Sequence, residues 1–197
     1  MNSQNEAEKM IRQKITCLYI MPSDEVLGED YMDTLSIRGE IEKLIKSLPL
    51  SYEDLHEIGK TQWASIKKNI ENRFLKINYY TDDLRWGWEV FKEPQFSVTF
   101  TDPAFSYFSN LIEDDVIWFV VEDYKNKMWL YEGTKDAIIR KVIPECLNLK
   151  EYYLVSKKYE WILCENHHNV ACGSGKRIVE KMNKFIGENP EEIITVY

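Results

Sequence analysis

The stretch Tyr152–Gly175, YYLVSKKYEWILCENHHNVACGSG, decides the fold. Its apolar runs are short and separated by polar turns, so it reads as a three-strand meander that feeds the last helix. It carries two of the three histidines and two of the four cysteines, and it ends on an abrupt glycine step. The register of its last hairpin has two solutions. With His167-His168-Asn169 as the loop, Cys164 lies opposite Cys172. With Asn166 to Asn169 as the loop, Cys164 lies opposite Ala171.

Upstream of the meander the period-two signal recurs. Val116–Val121 (VIWFVV) is apolar on both faces and reads as a central strand, with Met128–Tyr131 (MWLY) as its partner. Thr134 caps a helix carrying Ile138 and Val142, which Pro144 kinks or restarts. Leu84, Trp86, Trp88 and Val90 alternate with polar residues, as do Phe96, Val98 and Phe100, and two antiparallel strands are expected there. Asp102-Pro103 starts a helix with Phe105, Phe108, Leu111 and Ile112 inside, and Glu113-Asp114-Asp115 closes it as a solvated loop.

Further towards the N-terminus the period is helical. Ile37, Ile41, Leu44, Ile45 and Leu48 form one stripe, ended by Pro49. Ser51 with Asp54 suggests a capping box for a short helix stopping at Gly59. Thr61 caps a longer helix with Trp63, Ile66, Ile70, Phe74 and Ile77 inside. After the meander, a terminal helix runs from about Gly175 to Ile186. Strands joined by short turns, with segregated helices, argue an α+β fold. The expected sheet is mostly antiparallel, of about six to seven strands, with helices packed on one face. Residues 37–197 form the domain, and residues 1–36 are either an extension or part of its core.

The bulk numbers exclude several functions. The net charge is −8, and the basic clusters are pairs such as Lys67-Lys68, Lys157-Lys158 and Lys176-Arg177. Nucleic-acid binding draws most of its affinity from phosphate neutralisation, so it is not expected. An acidic chain instead suits a basic protein partner. The polar N-terminus lacks a signal-peptide core and no run has the length of a membrane span, so a cytoplasmic protein with reduced thiols is expected and no membrane is.

Four constellations could carry chemistry. Cys164, His167, His168 and Cys172 have zinc-type chemistry, but four ligands from one tight hairpin are sterically awkward. His167 or His168 with Glu165 could shuttle protons, although adjacent histidines point apart and no nucleophile pairs with them by spacing. A ββα-type metal nuclease would need another ligand on the following helix, which has Glu180 and Asn183 but no histidine. Gly173-Ser174-Gly175-Lys176 could bind an anion at a helix start. It is no P-loop, with Val170 and Arg177 where that motif needs Gly and Ser or Thr, and Ile178 breaks a dinucleotide fingerprint. The fourth is aromatic: Trp129, Tyr131, Tyr153, Tyr159 and Trp161 lie on successive strands, as core or as a partner-binding face.

WFVVED, WLYEG and EYYLVSKKYEWILCENHH, followed by a glycine-rich step into a helix, resemble an uncharacterised bacterial domain-of-unknown-function family over about residues 50 to 185. The resemblance implies a small cytosolic α+β protein and carries over no catalytic residue. A looser similarity in style is to the SUKH superfamily (Smi/Knr-type), many members of which are immunity proteins against secreted toxins.

The expectation is a non-enzymatic protein-binding module, immunity-like or regulatory. Its partner surface is Trp129, Tyr131, Trp161, Glu165, Asn166, His167 and His168. Gly173, Ser174, Gly175 and Lys176 form a candidate anion site. No catalytic residue, metal ligand or cofactor is assigned. The alternative is a metal-dependent hydrolase centred on the Glu165-Asn166-His167-His168 hairpin.

Overall fold

In the computed structural model, which describes residues 36–77, 83–123 and 127–197, the meander forms as three consecutive antiparallel strands. Expectations for residues 1–35, Cys17 among them, lie outside the described residues. The strands are β1 (Leu55–Glu57), β2 (Gln95–Phe100), β3 (Val116–Asp123), β4 (Lys127–Thr134), β5 (Tyr152–Ser156), β6 (Ile162–Glu165), β7 (Ala171–Ser174) and β8 (Ile193–Val196). They make one antiparallel sheet in the order β1-β4-β3-β5-β6-β7-β2-β8. The class is α+β, with eight strands where six to seven were expected.

Side chains alternate across this sheet as strand geometry requires. On the first face Ile117, Phe119, Val121, Tyr131, Tyr152, Leu154 and Leu163 form a core with α1 (Ile37–Ser47), α3 (Phe105–Leu111), a π-helical segment (Asp136–Val142) and α4 (Lys176–Glu188). On the second face Trp118, Val120, Leu130, Tyr153, Val155, Ile162 and Cys164 pack under α2 (Lys60–Phe74) and the segment Leu84–Phe91. Helices therefore cover both faces, against the expectation of one. The reason is visible along β3, where both parities are large and apolar, so neither face can be left to water.

The helices begin where the chemistry permits. The Ser36 hydroxyl accepts the Gly39 N–H at 2.9 Å and caps α1. Thr134 Oγ1 accepts the Ala137 N–H at 3.2 Å and starts the π-helical segment. Buried Ile178 and Met182, with Val179, Phe185 and Ile186, give α4 its apolar stripe. Arg177 of α4 reaches Glu113 at 3.0 Å, Asp114 at 3.4 Å and Glu160 at 2.7 Å. Glu113 and Asp114, part of the acidic triple expected as a solvated loop, therefore dock the terminal helix.

Two local expectations fail. Leu84–Val90 is no strand. Trp86 adopts a left-handed φ of 58° and Gly87–Val90 forms a 3-10 turn, so the alternation breaks at the Trp-Gly-Trp step. Ser51 and Asp54 do bond each other, with the Ser51 hydroxyl 2.8 Å from Asp54 Oδ2. The chain leaves that turn as β1 rather than as a helix, because Leu55–Glu57 pairs with Tyr131–Gly133. Strand β8, absent from the sequence reading, pairs with β2 and forms one edge of the sheet.

Candidate binding site at the last hairpin turn

The β6–β7 ladder pairs Cys164 with Cys172, which selects the three-residue loop His167-His168-Asn169. Asn166 builds this loop. Its side-chain Oδ1 accepts the N–H groups of His168 and Val170, each at 3.0 Å, and Asn169 turns the chain at φ 59°. Asn166 is itself buried, so the turn sits on a fixed base while His167 and His168 project into solvent.

Next to that base, the second face of the sheet ends in a polar row rather than an apolar one. Glu151 precedes β5 and is only 2% exposed. Its carboxylate accepts the Tyr153 hydroxyl at 2.6 Å and the Trp88 indole N–H at 3.0 Å. His167 Nδ1 lies 3.5 Å from the same carboxylate. Trp86 and Trp88 extend the group outward. Trp86 stands edge-on to His167 at 5.2 Å, Trp88 stands edge-on to His168 at 6.2 Å, and the two imidazoles lie 4.0 Å apart. Trp86 is 49% exposed, so a large indole faces water beside two exposed histidines. Glu122 adjoins this group, its backbone N–H pointing to the Glu151 carbonyl at 3.4 Å. Burial, then repulsion from Glu151, raises the Glu122 carboxyl above the ordinary carboxylate range.

The other expected site residues lie elsewhere. Tyr131 and Trp161 are not surface but core, at 0% and 1% exposure, because both faces of the sheet are covered. The Trp161 indole N–H donates to Asp114 at 2.7 Å, and Trp129 donates to Asp123 at 2.9 Å under the guanidinium of Arg38. Tyr153 is buried too, and Tyr159 lies against Trp118. Glu165 faces away from His167. It accepts the Tyr152 hydroxyl and the Ala104 N–H at the start of α3.

Gly173 and Gly175 are explained by close approach. A Cβ at Gly173 would meet Met182 Sδ at 2.7 Å, and one at Gly175 would meet the Glu160 carbonyl oxygen at 2.4 Å. The Gly175 N–H donates to Pro94 and the Ser174 hydroxyl to Lys92, so neither is offered to an anion. Lys176 is exposed beside Glu180.

Catalytic chemistry finds little support here. Burial pushes the Cys164 thiol well up and the Cys172 thiol up to about 11, which leaves both protonated and poor nucleophiles at neutral pH. Among the described residues, no three His, Cys, Asp or Glu side chains gather as they would around a metal ion. A depression between α2 and the sheet, lined by Trp63, Ile70, Leu84 and Val120, has room for little more than a water molecule. No described helix is long and apolar enough to cross a membrane.

Sequence reasoning found the two histidines and missed Trp86, Trp88, Glu122 and Glu151. The signal that could have found them was a polar residue at the inward parity of each of two central strands, Glu122 on β3 and Glu151 before β5. A family model described as a family of unknown function, DUF6756, matches residues 33–186. No curated protein and no solved structure matches the chain.

Proposed function

The chain belongs to the DUF6756 family, whose function is unknown, and we propose that it is a non-enzymatic protein-binding module that engages its partner through the last hairpin turn. The observation that carries this reading is the half-exposed indole of Trp86 packed beside His167 and His168. Tryptophan ranks high among residues that anchor protein interfaces, because it buries a large apolar area with few rotamers to freeze. This one is held in a left-handed backbone conformation, two residues before Trp88, whose indole is fixed on Glu151.

The surface is therefore the turn and the Trp86–Trp88 segment, not the aromatic sheet face. An acidic chain acting in the cytoplasm would meet a basic partner faster than a neutral one. Occlusion of that partner, as immunity proteins do, is the mode we favour. The hydrolase alternative has no geometric support, since Glu165 and His167 lie on different sides of the sheet end.

The test is photocrosslinking in the native host, with a crosslinking residue at position 168 and a control at Asn183 on α4. One defined polypeptide should be captured from position 168 and not from 183. Trp86→Ala in the same chain should abolish the capture while leaving the melting temperature unchanged. Equal capture from both positions, or capture indifferent to Trp86→Ala, would remove this surface from consideration.

A further inference from the structure

The two halves of this surface meet at Glu151. The turn belongs to the β6–β7 hairpin, and the Trp86–Trp88 segment comes from far earlier in the chain. Among the described residues, no hydrogen bond runs directly between them. Both reach one oxygen instead. The Trp88 indole N–H donates to Glu151 Oε2 at 3.0 Å, and His167 Nδ1 lies 3.5 Å from that same atom. The other oxygen, Oε1, accepts the Tyr153 hydroxyl at 2.6 Å and ties the carboxylate to β5. Trp86 follows Trp88, because its carbonyl accepts the Glu89 N–H at 3.1 Å within the 3-10 turn.

A buried carboxylate with a donor on each oxygen has little freedom, since any shift leaves a donor unmade. It also carries lone pairs and no hydrogen, so it favours the imidazole form with its hydrogen on Nδ1. We infer that Glu151 is the positioning residue of the binding surface. It sets the spacing of Trp86 from His167 and the ring nitrogen on which neutral His167 carries its hydrogen. The inference rests on the proposed surface and says what holds that surface in shape before a partner arrives. A surface ordered in advance spares the ordering cost that binding otherwise meets.

Glu151→Gln keeps the side chain's size and one acceptor oxygen, and puts an NH2 group where the second oxygen stood. The full isotope-labelled chain is followed by NMR at about pH 8, where imidazole is neutral. The parent should show cross peaks between the rings of Trp86 and His167, and long-range nitrogen correlations should give the Nδ1–H form for His167. Glu151→Gln should lose both, together with capture from position 168. The control is Asp123→Asn, another buried carboxylate with an indole donor, Trp129 at 2.9 Å, and a backbone donor, Ile37 at 3.1 Å. It should keep all three signals. If Glu151→Gln does not fold, Trp88→Phe removes the indole donor alone and should lose the same cross peaks. Retention of the cross peaks and of the Nδ1–H form in Glu151→Gln would overturn the inference. So would equal losses in Asp123→Asn, which would mean general loosening. A parent that is not captured from position 168 removes the surface and leaves the positioning role to the NMR signals. Capture that persists in Glu151→Gln removes the positioning role and leaves the surface.

Discussion

Tyr131 carries a hydroxyl that has no use. The ring is fully buried in the first-face core, and its oxygen has no hydrogen-bond partner among the described residues. An unpartnered buried hydroxyl costs about 1–3 kcal/mol. Tyr131→Phe is therefore expected to stabilise the protein by about 1 kcal/mol, seen as a higher urea midpoint with an unchanged slope. Tryptophans separate the two kinds of surface. Trp161→Ala should cost about 3–5 kcal/mol, because it opens a cavity in the core and removes the indole N–H that Asp114 accepts. Trp86→Ala should stay within about 0.5 kcal/mol of the parent, because half of that indole is already in water. Glu122 adds a pH dependence. Its folded pKa lies above its unfolded one, so the native state holds the proton to higher pH than the unfolded chain does. Stability from this group is present at low pH and falls as pH rises from the ordinary carboxylate range through the raised value. Glu122→Gln should be more stable than the parent above that window and should flatten the stability profile within it, as denaturation at several pH values would read. The histidines of this site were legible because two in one turn stand out in any reading. Glu151 was not, because its partner Trp88 is 63 residues away and its face depends on a strand register that the sequence states only indirectly.

Elements were legible where period and punctuation agreed. The meander, β3, β4 and α4 all combine a clear period with a Gly, Asn or polar stop, and all formed. The segment Leu84–Val90 had the period of a strand without a partner to pair with, and tertiary bonds claimed it: the Leu84 N–H goes to Glu71 of α2 and Trp88 goes to Glu151. The glycine step at the end of β7 was read as a turn or an anion cradle, and its meaning is steric. Gly175 has φ 106° and lies against the backbone of Glu160 and Trp161. Gly175→Ala is expected to destabilise by at least about 2 kcal/mol, from left-side backbone strain and that contact together. A thermal midpoint lowered in proportion, with the far-ultraviolet spectrum unchanged, is the expected observation. An alanine there that melts with the parent would mean that the β7–α4 joint relaxes freely.

At the scale of the whole molecule, charge and layering were read in different measure. Net charge is a sum over the sequence, so an acidic character was certain; where the acidity does structural duty was not. Glu113 and Asp114 from one loop and Glu160 from another converge on Arg177, which no spacing rule reveals. The second layer of cover was hidden for a similar reason. A strand apolar on both faces demands two layers, but it does not say that α2 supplies one of them. Strand β8 has the largest reach beyond its own length. It lies outside the residues matched by the family model, yet it occupies the free side of β2, and Thr101 and Tyr197 bond across the seam. Its own outward residues Ile194 and Val196 remain exposed. Cutting the chain after Glu188 would leave the second-face and first-face cores in place and bare the backbone of Gln95–Phe100, a six-residue template of alternating polarity. Such a chain should fold but self-associate, with light scattering rising with concentration where the full chain's does not. The tail would then act as a chaperone in miniature, keeping an adhesive strand from templating another copy of itself.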